Sequence, residues 1–320
     1  MLKSSTSNCD PPVARLTGWL WSVTKDIQFD SVICPFCGSG AAARLFKEQG
    51  CEVTATAVFA SFARQARALI ENDSTTLDQF EAEAIIGPSE DTSQLLEGIA
   101  PAYGLSHSFG AWLDRCRANI ERIDHEYKKS LAYTAVSKVI AQVFSLGEQT
   151  AMQSGEEDWN QVFRFYVAAL NDMVFSNGKL CLAYEGTPER YVAESNADAL
   201  CLYLPRENIS KLTNAERFSE LFNRFCHEKQ LISELSDAKS KKLGTALTDA
   251  IEYSDSISKF LECADNIRIW FICASSDSPI TPDETLETLS KLRNKVTVMR
   301  KEMVYSKSFS RNEYIYICEA

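Results

Sequence analysis

The stretch SVICPFCGSGAAARLFKEQG, residues 31–50, constrains the fold of this chain more than any other segment. An apolar run ends in a turn with two glycines, and the small and apolar residues at 41–49 then suit a helix that Gly50 closes. The runs at 51–59 and 61–72 predict a second strand and a second helix. This order of strand, glycine turn, helix, strand and helix is typical of a parallel α/β unit.

Further β-rich runs appear after residue 178, namely KLCLAYE, ADALCLYLP, NIRIWFICAS, NKVTVMRKEMVYS and NEYIYICEA. The last two alternate apolar and polar residues, which predicts an antiparallel pair at a sheet edge. Helical patterns dominate the middle of the chain, at about 111–146 and 159–175. We therefore predict an α/β domain, residues 1–75 and 179–320, interrupted by a mostly helical insertion, residues 76–178.

The glycine turn itself allows two interpretations. Cys34 and Cys37 have the spacing of a thiol redox motif, which requires an exposed cysteine whose thiolate is stabilised at a helix start. Gly38 and Gly40 allow a sharp turn and a close approach of a ligand to the helix N-terminus. The glycine-loop interpretation is favoured, because the chain of 320 residues is far longer than a compact thiol oxidoreductase needs.

The loop Pro35-Phe36-Cys37-Gly38-Ser39-Gly40 resembles the cofactor loop of the Dam-like adenine-specific DNA methyltransferases, which reads roughly P-F-x-G-S-G. The resemblance continues through residues 53–72, where the family has a strand, an acidic residue and a helix that ends A-L-I-E-N. Ala57 stands at the acidic position, so the carboxylate that would bind the cofactor ribose is missing.

This resemblance implies a Rossmann-like S-adenosylmethionine-dependent methyltransferase fold, with a mostly parallel sheet, a C-terminal antiparallel hairpin and a helical insertion. It implies S-adenosylmethionine as the cofactor, bound with reduced affinity. The C-terminal runs resemble the strand, helix and closing hairpin of the family, with Ser275, Ser276 and Asp277 in place of its polar segment.

The catalytic motif of the family, Asp-Pro-Pro-Tyr at the end of a strand, is changed in this chain. In the family the aspartate and a backbone carbonyl accept the hydrogens of the adenine amine, and the aromatic ring stacks on the flipped base. A tyrosine cannot act as that carboxylate, so Asp198 and Glu207 are the fallback candidates for a catalytic acid. The four motif positions are occupied by Tyr203, Leu204, Pro205 and Arg206.

In the family the helical insertion reads DNA, and the corresponding segment here contains a group of basic residues. Acidic residues are interleaved with them, which favours a solvated helix face over a DNA contact. The candidate DNA-binding residues are Arg115, Arg117, Arg122, Lys128 and Lys129.

Charge and composition exclude several other classes of function. The net charge of −11 disfavours broad attraction to nucleic acid or to anionic lipid. No apolar run has the length of a membrane span or a signal peptide, so we expect a cytoplasmic protein without membrane contact. The 11 cysteines are predicted to be reduced and mostly buried, and the three histidines are too isolated to suggest a metal site.

The primary hypothesis is therefore a catalytically degenerate protein of this methyltransferase type that acts by binding. It would be a non-catalytic subunit beside an active methyltransferase, a nuclease or another prokaryotic defence protein, with DNA as a further partner. An active but divergent adenine DNA methyltransferase is the alternative, and a thiol oxidoreductase that uses Cys34 and Cys37 is a weaker one.

Overall fold

The computed structural model describes residues 12–90, 94–145, 155–204, 221–222, 224–226, 243, 250–306 and 309–320. Its strands are β1 Ser31–Cys34, β2 Glu52–Ala57, β3 Cys181–Glu185, β4 Ala199–Tyr203, β5 Ile269–Ser275, β6 Lys295–Ser306 and β7 Phe309–Glu319.

In the first part of the chain, strands and helices alternate as the sequence predicts: α2 follows β1, and α3 follows β2. The last turn of α3 continues as a π-helix, Arg67–Glu71, and a short 3-10 helix, Ala100–Tyr103, follows α5. The α-helices are α1 Pro12–Thr24, α2 Ala41–Glu48, α3 Ala60–Ala66, α4 Gln79–Ile86, α5 Leu95–Ile99, α6 His107–Glu121, α7 Glu126–Ser145, α8 Glu156–Asn171, α9 Pro188–Ala193, α10 Ala250–Glu262 and α11 Pro282–Leu292.

The described strands form one sheet in the order β3-β2-β1-β4-β5-β7-β6. Strands β1 to β5 are parallel, whereas β7 runs antiparallel to both β5 and β6. This arrangement confirms the predicted Rossmann-like methyltransferase fold, including the antiparallel hairpin at the sheet edge. The carboxyl ends of β1, β2, β4 and β5 therefore meet at one edge, where ligands bind in open α/β sheets.

The sheet is covered on both faces, which explains why its strands are nearly continuous apolar runs. Val32 of β1 packs into a core with α1 to α8, while its neighbour Ile33 packs into a second core with α9, α10 and α11. We call these the first and second faces of the sheet. Among the described residues no helix has the length and apolarity needed to cross a bilayer.

The helical pattern predicted at about 111–146 is confirmed for the described residues, but it is divided into two helices, α6 and α7. Turn-type bonds from the N–H of Arg122 to the Asn119 carbonyl and from Ile123 to Ile120 end α6. The Asn119 side chain also donates to the carbonyls of Ile85 and Gly87, which anchors this end of α6 to α4. The division of the chain at residues 76 and 178 stays a prediction, although helices α4 to α8 share one core with the first face of the sheet.

Candidate functional site at the carboxyl edge of the sheet

The glycine loop connects β1 to α2 at the carboxyl edge, and its backbone explains the residue types in the motif. Gly38 and Gly40 have φ values of 52° and 77°, in the left-handed region that glycine adopts without strain. The N–H of Cys37 donates to the Thr56 carbonyl at 2.9 Å, which fixes the loop against the end of β2. A Cβ on Gly38 would meet no atom within 4 Å, so the front of the loop is open to a ligand.

Phe36 anchors the loop to the second face of the sheet. Its ring packs against Phe260 of α10 with centroids 5.3 Å apart. Phe36 also has a positive φ of 51°, a conformation that costs a non-glycine residue about 1–2 kcal/mol. The packing of this ring offsets the cost. Phe36 therefore holds the loop in place, and Gly38 lies on the side of the loop that faces open space.

The structure contradicts the thiol interpretation of this loop. Cys34 is 2% exposed and Cys37 is 8% exposed. Burial raises the pKa of the Cys37 thiol to about 12, whereas a redox cysteine needs a stabilised thiolate. Within the described part of the chain, no three potential metal-binding side chains gather into a cluster either.

The end of β2 lacks the acceptor that a cofactor ribose requires. Ala57 is the last residue of this strand, is 2% exposed, and its carbonyl already accepts the N–H of Gly186 at 3.0 Å. Glu185 is paired with Ala57 on the neighbouring strand β3, and its carboxylate side chain is exposed. The end of β2 therefore does not provide the carboxylate that the family resemblance implies for a cofactor ribose.

The altered catalytic motif begins at the end of β4, as the sequence predicts. Tyr203 is the last residue of the strand, and the N–H of buried Leu204 donates to the Cys273 carbonyl of β5 at 2.8 Å. The other predicted motif residues, Pro205 and Arg206, lie outside the described residues, as does Glu207.

Tyr203 belongs to a polar network that sequence reasoning missed. Its hydroxyl donates to Glu313 Oε2 at 3.3 Å, and Glu313 is completely buried on β7. Arg311, also buried, donates through Nε to the other oxygen of Glu313 and through Nη1 to Asp277 at 3.0 Å. Ser275, at the end of β5, donates to the second oxygen of Asp277. The available signal was the pair Arg311 and Glu313, two charges on one face of β7 directly before its run YIYIC.

Asp198 does not fit the fallback role of catalytic acid. It precedes β4 and therefore lies at the amino edge, at the opposite end of the strand from Tyr203. Its carboxylate accepts the N–H groups of Asp30 and Ser31, at 2.9 and 3.1 Å, and the Ser31 hydroxyl. These bonds, with that from Asp30 the strongest, lower the pKa of Asp198 and join the starts of β1 and β4.

The basic residues of the helical segment are mostly engaged within the chain. Arg115 pairs with Glu156 at 2.5 Å, Lys128 with Glu81, and Lys129 with Glu121 at 3.3 Å. Arg117 is half-buried on α6, and Arg122, which follows that helix, is exposed. These pairs support the solvated-face interpretation, and the DNA contact stays a prediction.

No protein-family model matches this chain, and no curated protein matches it. Among solved structures, magnesium protoporphyrin IX methyltransferase from Synechocystis PCC 6803 is 8% identical, with a TM-score of 0.37 over 96% of this chain and 78% of that one. The methyltransferase domain of bacterial CtHen1 is 10% identical, with a TM-score of 0.35 over 96% of this chain and 100% of that one. The fold assignment therefore rests on the strand order of the chain itself.

Proposed function

We propose that this chain is a methyltransferase-like protein that has lost methyl transfer and acts by binding. The observation that carries the proposal is Tyr203, which stands at the end of β4 where the resemblance expects a carboxylate. Transfer to an exocyclic amine needs a group that accepts its proton, and a phenol that donates its own hydrogen to Glu313 does not provide one.

The buried carboxylate beside Tyr203 does not substitute for the missing one. Both oxygens of Glu313 already accept hydrogen bonds, one from Arg311 and one from Tyr203. Glu313 is also completely buried, so a substrate amine could reach it only if the network opened. Among the described residues at this edge, the network supports a structural role for the carboxylates.

Cofactor binding is retained in this proposal, but it is weak. The open front of Gly38 supports a bound methionine moiety, whereas Ala57 removes the carboxylate that would hold the ribose. A charge-assisted hydrogen bond contributes about 1.5–3 kcal/mol, so its absence lowers affinity by one to two orders of magnitude.

The partner in this proposal is a protein. The net charge of −11 and the ion pairs of Arg115, Lys128 and Lys129 disfavour unaided DNA binding. An active methyltransferase, a nuclease or another subunit of a prokaryotic DNA modification or defence system would be that partner, in the cytoplasm. This setting follows from the family resemblance alone.

Isothermal titration with S-adenosylmethionine and S-adenosylhomocysteine, together with a radiolabel assay for methyl transfer to DNA, tests the proposal. We expect weak saturable binding, no transfer, and tighter binding in Ala57→Asp. Gly38→Ala should abolish the binding, because its Cβ enters the open front of the loop. Gly178→Ala is the matched control, since Gly178 also has a positive φ, 76°, and open space around it.

The two parts of the proposal fail separately. Methyl transfer by the wild type would contradict the loss of catalysis and favour the active alternative, in which case Glu207→Gln should abolish the transfer. Absence of heat in both the wild type and Ala57→Asp would contradict cofactor binding and leave the loop a structural element.

A further inference from the structure

A cleft of about 480 Å³ lies between α1, α2 and α7, on the first face of the sheet. Its walls include Trp21 of α1, Ser39 of the glycine loop, Leu45 of α2 and Lys138 of α7. Ser39 and Gly40 of the glycine loop line it, whereas Cys37 and Gly38 of the same loop do not. We refer to it as the α1–α2–α7 cleft.

Lys138 is the unusual residue of this cleft. The residues on either side of it in α7, Ser137 and Val139, are buried, and Lys138 is itself partly buried. Among the described residues, no carboxylate or other acceptor lies within ion-pair or hydrogen-bond distance of its ammonium group. Lys138 is therefore a cation on the wall of the cleft that an external anion can reach and pair with.

Lys47 shows how this chain satisfies a buried lysine when the role is structural. Its ammonium donates to the carbonyls of Ile70 and Asn72, at 2.8 and 3.0 Å, and to Asp73 at 2.9 Å. All three of its hydrogens therefore have acceptors. Lys138 has none of these, although both lysines lie on helices packed on the same face of the sheet.

The other polar groups of the cleft favour an anion. Arg44 pairs with Glu48 at 2.8 Å, so their charges cancel and Lys138 leaves the cleft with one positive charge on a chain of net charge −11. The Ser39 hydroxyl also has no described partner, and the N-cap of α2, Gly40, provides no side chain to its first N–H groups. These donors supplement Lys138.

The remaining walls are apolar and suit a flat organic group. Trp21 is 46% exposed, and Leu45, Leu69 and Met173 line the cleft beside it. The volume lies in the range of small-molecule sites, roughly 300–1,000 Å³. We propose that the α1–α2–α7 cleft binds a small organic oxyanion, a phosphate or carboxylate on a flat apolar body, with Lys138 holding the anion and Trp21 contacting the body.

Titration calorimetry of the full chain tests this with two pairs of probes. Adenosine monophosphate and adenosine differ by a phosphate, while indole-3-carboxylate and indole differ by a carboxylate. We expect saturable binding of at least one anionic probe and none of its uncharged counterpart, and the pair that responds identifies the anion. Lys138→Gln should weaken that binding about tenfold or more, since it removes a charge-assisted contact.

Lys259→Gln is the matched control, because Lys259 lies exposed on α10 at the second face and should leave the affinity unchanged. Trp21→Ala should also weaken the organic probes without creating affinity for inorganic phosphate alone. Unchanged affinity in Lys138→Gln, or no anionic probe bound at high millimolar concentration, would overturn the proposal. A Lys138→Gln variant that loses only S-adenosylmethionine binding would also overturn it, by assigning the cleft to the cofactor.

Discussion

Strand β4 has a polar cluster at each end, and the two clusters satisfy their carboxylates differently. At the amino edge, Asp198 accepts mainly backbone N–H groups, from Asp30 and Ser31. At the carboxyl edge, Glu313 accepts side-chain donors, from Arg311 and Tyr203. The first cluster joins two strand starts, whereas the second depends on side chains that several strands bring together.

The two ends also differ in burial, which sets what a lost partner costs. Asp198 is only partly buried, so water can replace a missing bond there. Glu313 is fully buried and Arg311 nearly so, and removing either one would leave the other without its opposite charge and with little access to solvent. Removing one member of a buried ion pair is therefore far more destabilising than removing a partly solvated one.

The largest expected effect follows from breaking the carboxyl-edge cluster. Glu313→Ala should lower the free energy of unfolding by about 3–5 kcal/mol, because it leaves the Arg311 guanidinium buried without its main counter-charge. Urea denaturation measures the change. The control is Glu319→Ala on the same strand, whose ion pair with Lys295 at 2.5 Å is largely exposed and should contribute less than about 1 kcal/mol. Equal effects of the two variants would show that the network is solvated.

A smaller effect is expected at the amino edge. Asp198→Ala should lower the free energy of unfolding by about 1–3 kcal/mol, since it leaves the N–H groups of Asp30 and Ser31 without an acceptor. The pKa of Asp198 is lowered in the folded protein, so its stabilisation is complete above the unfolded value of about 4 and is lost as the pH falls through the folded value. Urea denaturation from neutral pH downward should show the wild type and the variant converging only in strongly acidic solution. Convergence above about pH 5 would contradict the lowered pKa.

A third variant sharpens the comparison by removing only the neutral member of the carboxyl-edge cluster. Tyr203→Phe should reduce the free energy of unfolding by about 0.5–1.5 kcal/mol, because Glu313 keeps its bond to Arg311. Thermal and urea denaturation should agree on this value. A loss as large as that of Glu313→Ala would mean that the phenol, and not the guanidinium, holds the carboxylate.

The smallest effect concerns the chemical reactivity of Cys34 and Cys37 beside the glycine loop. We expect a thiol reagent to label both of them slowly. With N-ethylmaleimide near neutral pH, Cys263 should react first, since it is the most accessible described cysteine. Cys37 should react only when the protein opens, because burial raises the pKa of its thiol to about 12. Peptide mass mapping identifies the labelled sites. Labelling of Cys34 or Cys37 at the rate of Cys263 would restore the thiol interpretation.

The sequence predicted the elements that depend on local patterns. The run from β1 through the glycine loop to β2 was recognisable because strand and helix periodicity, Gly38, Gly40 and Gly50 all act within a few residues. The network around Glu313 was not predicted, because it exists only once β7 inserts between β5 and β6. The interpretation of Asp198 as a catalytic acid was wrong, since a residue before a parallel strand lies at the edge away from the ligands.

The insertion of β7 between β5 and β6 also has a consequence for biosynthesis. Of the seven described strands, β7 is the last to leave the ribosome, yet it separates two strands made before it. Until it arrives, β5 has no neighbour on that side, and Arg311 and Glu313 are absent from the edge that they complete. We therefore expect nascent chains that stop short of β7 to expose an open β5 edge and to depend on chaperones more than the finished chain does.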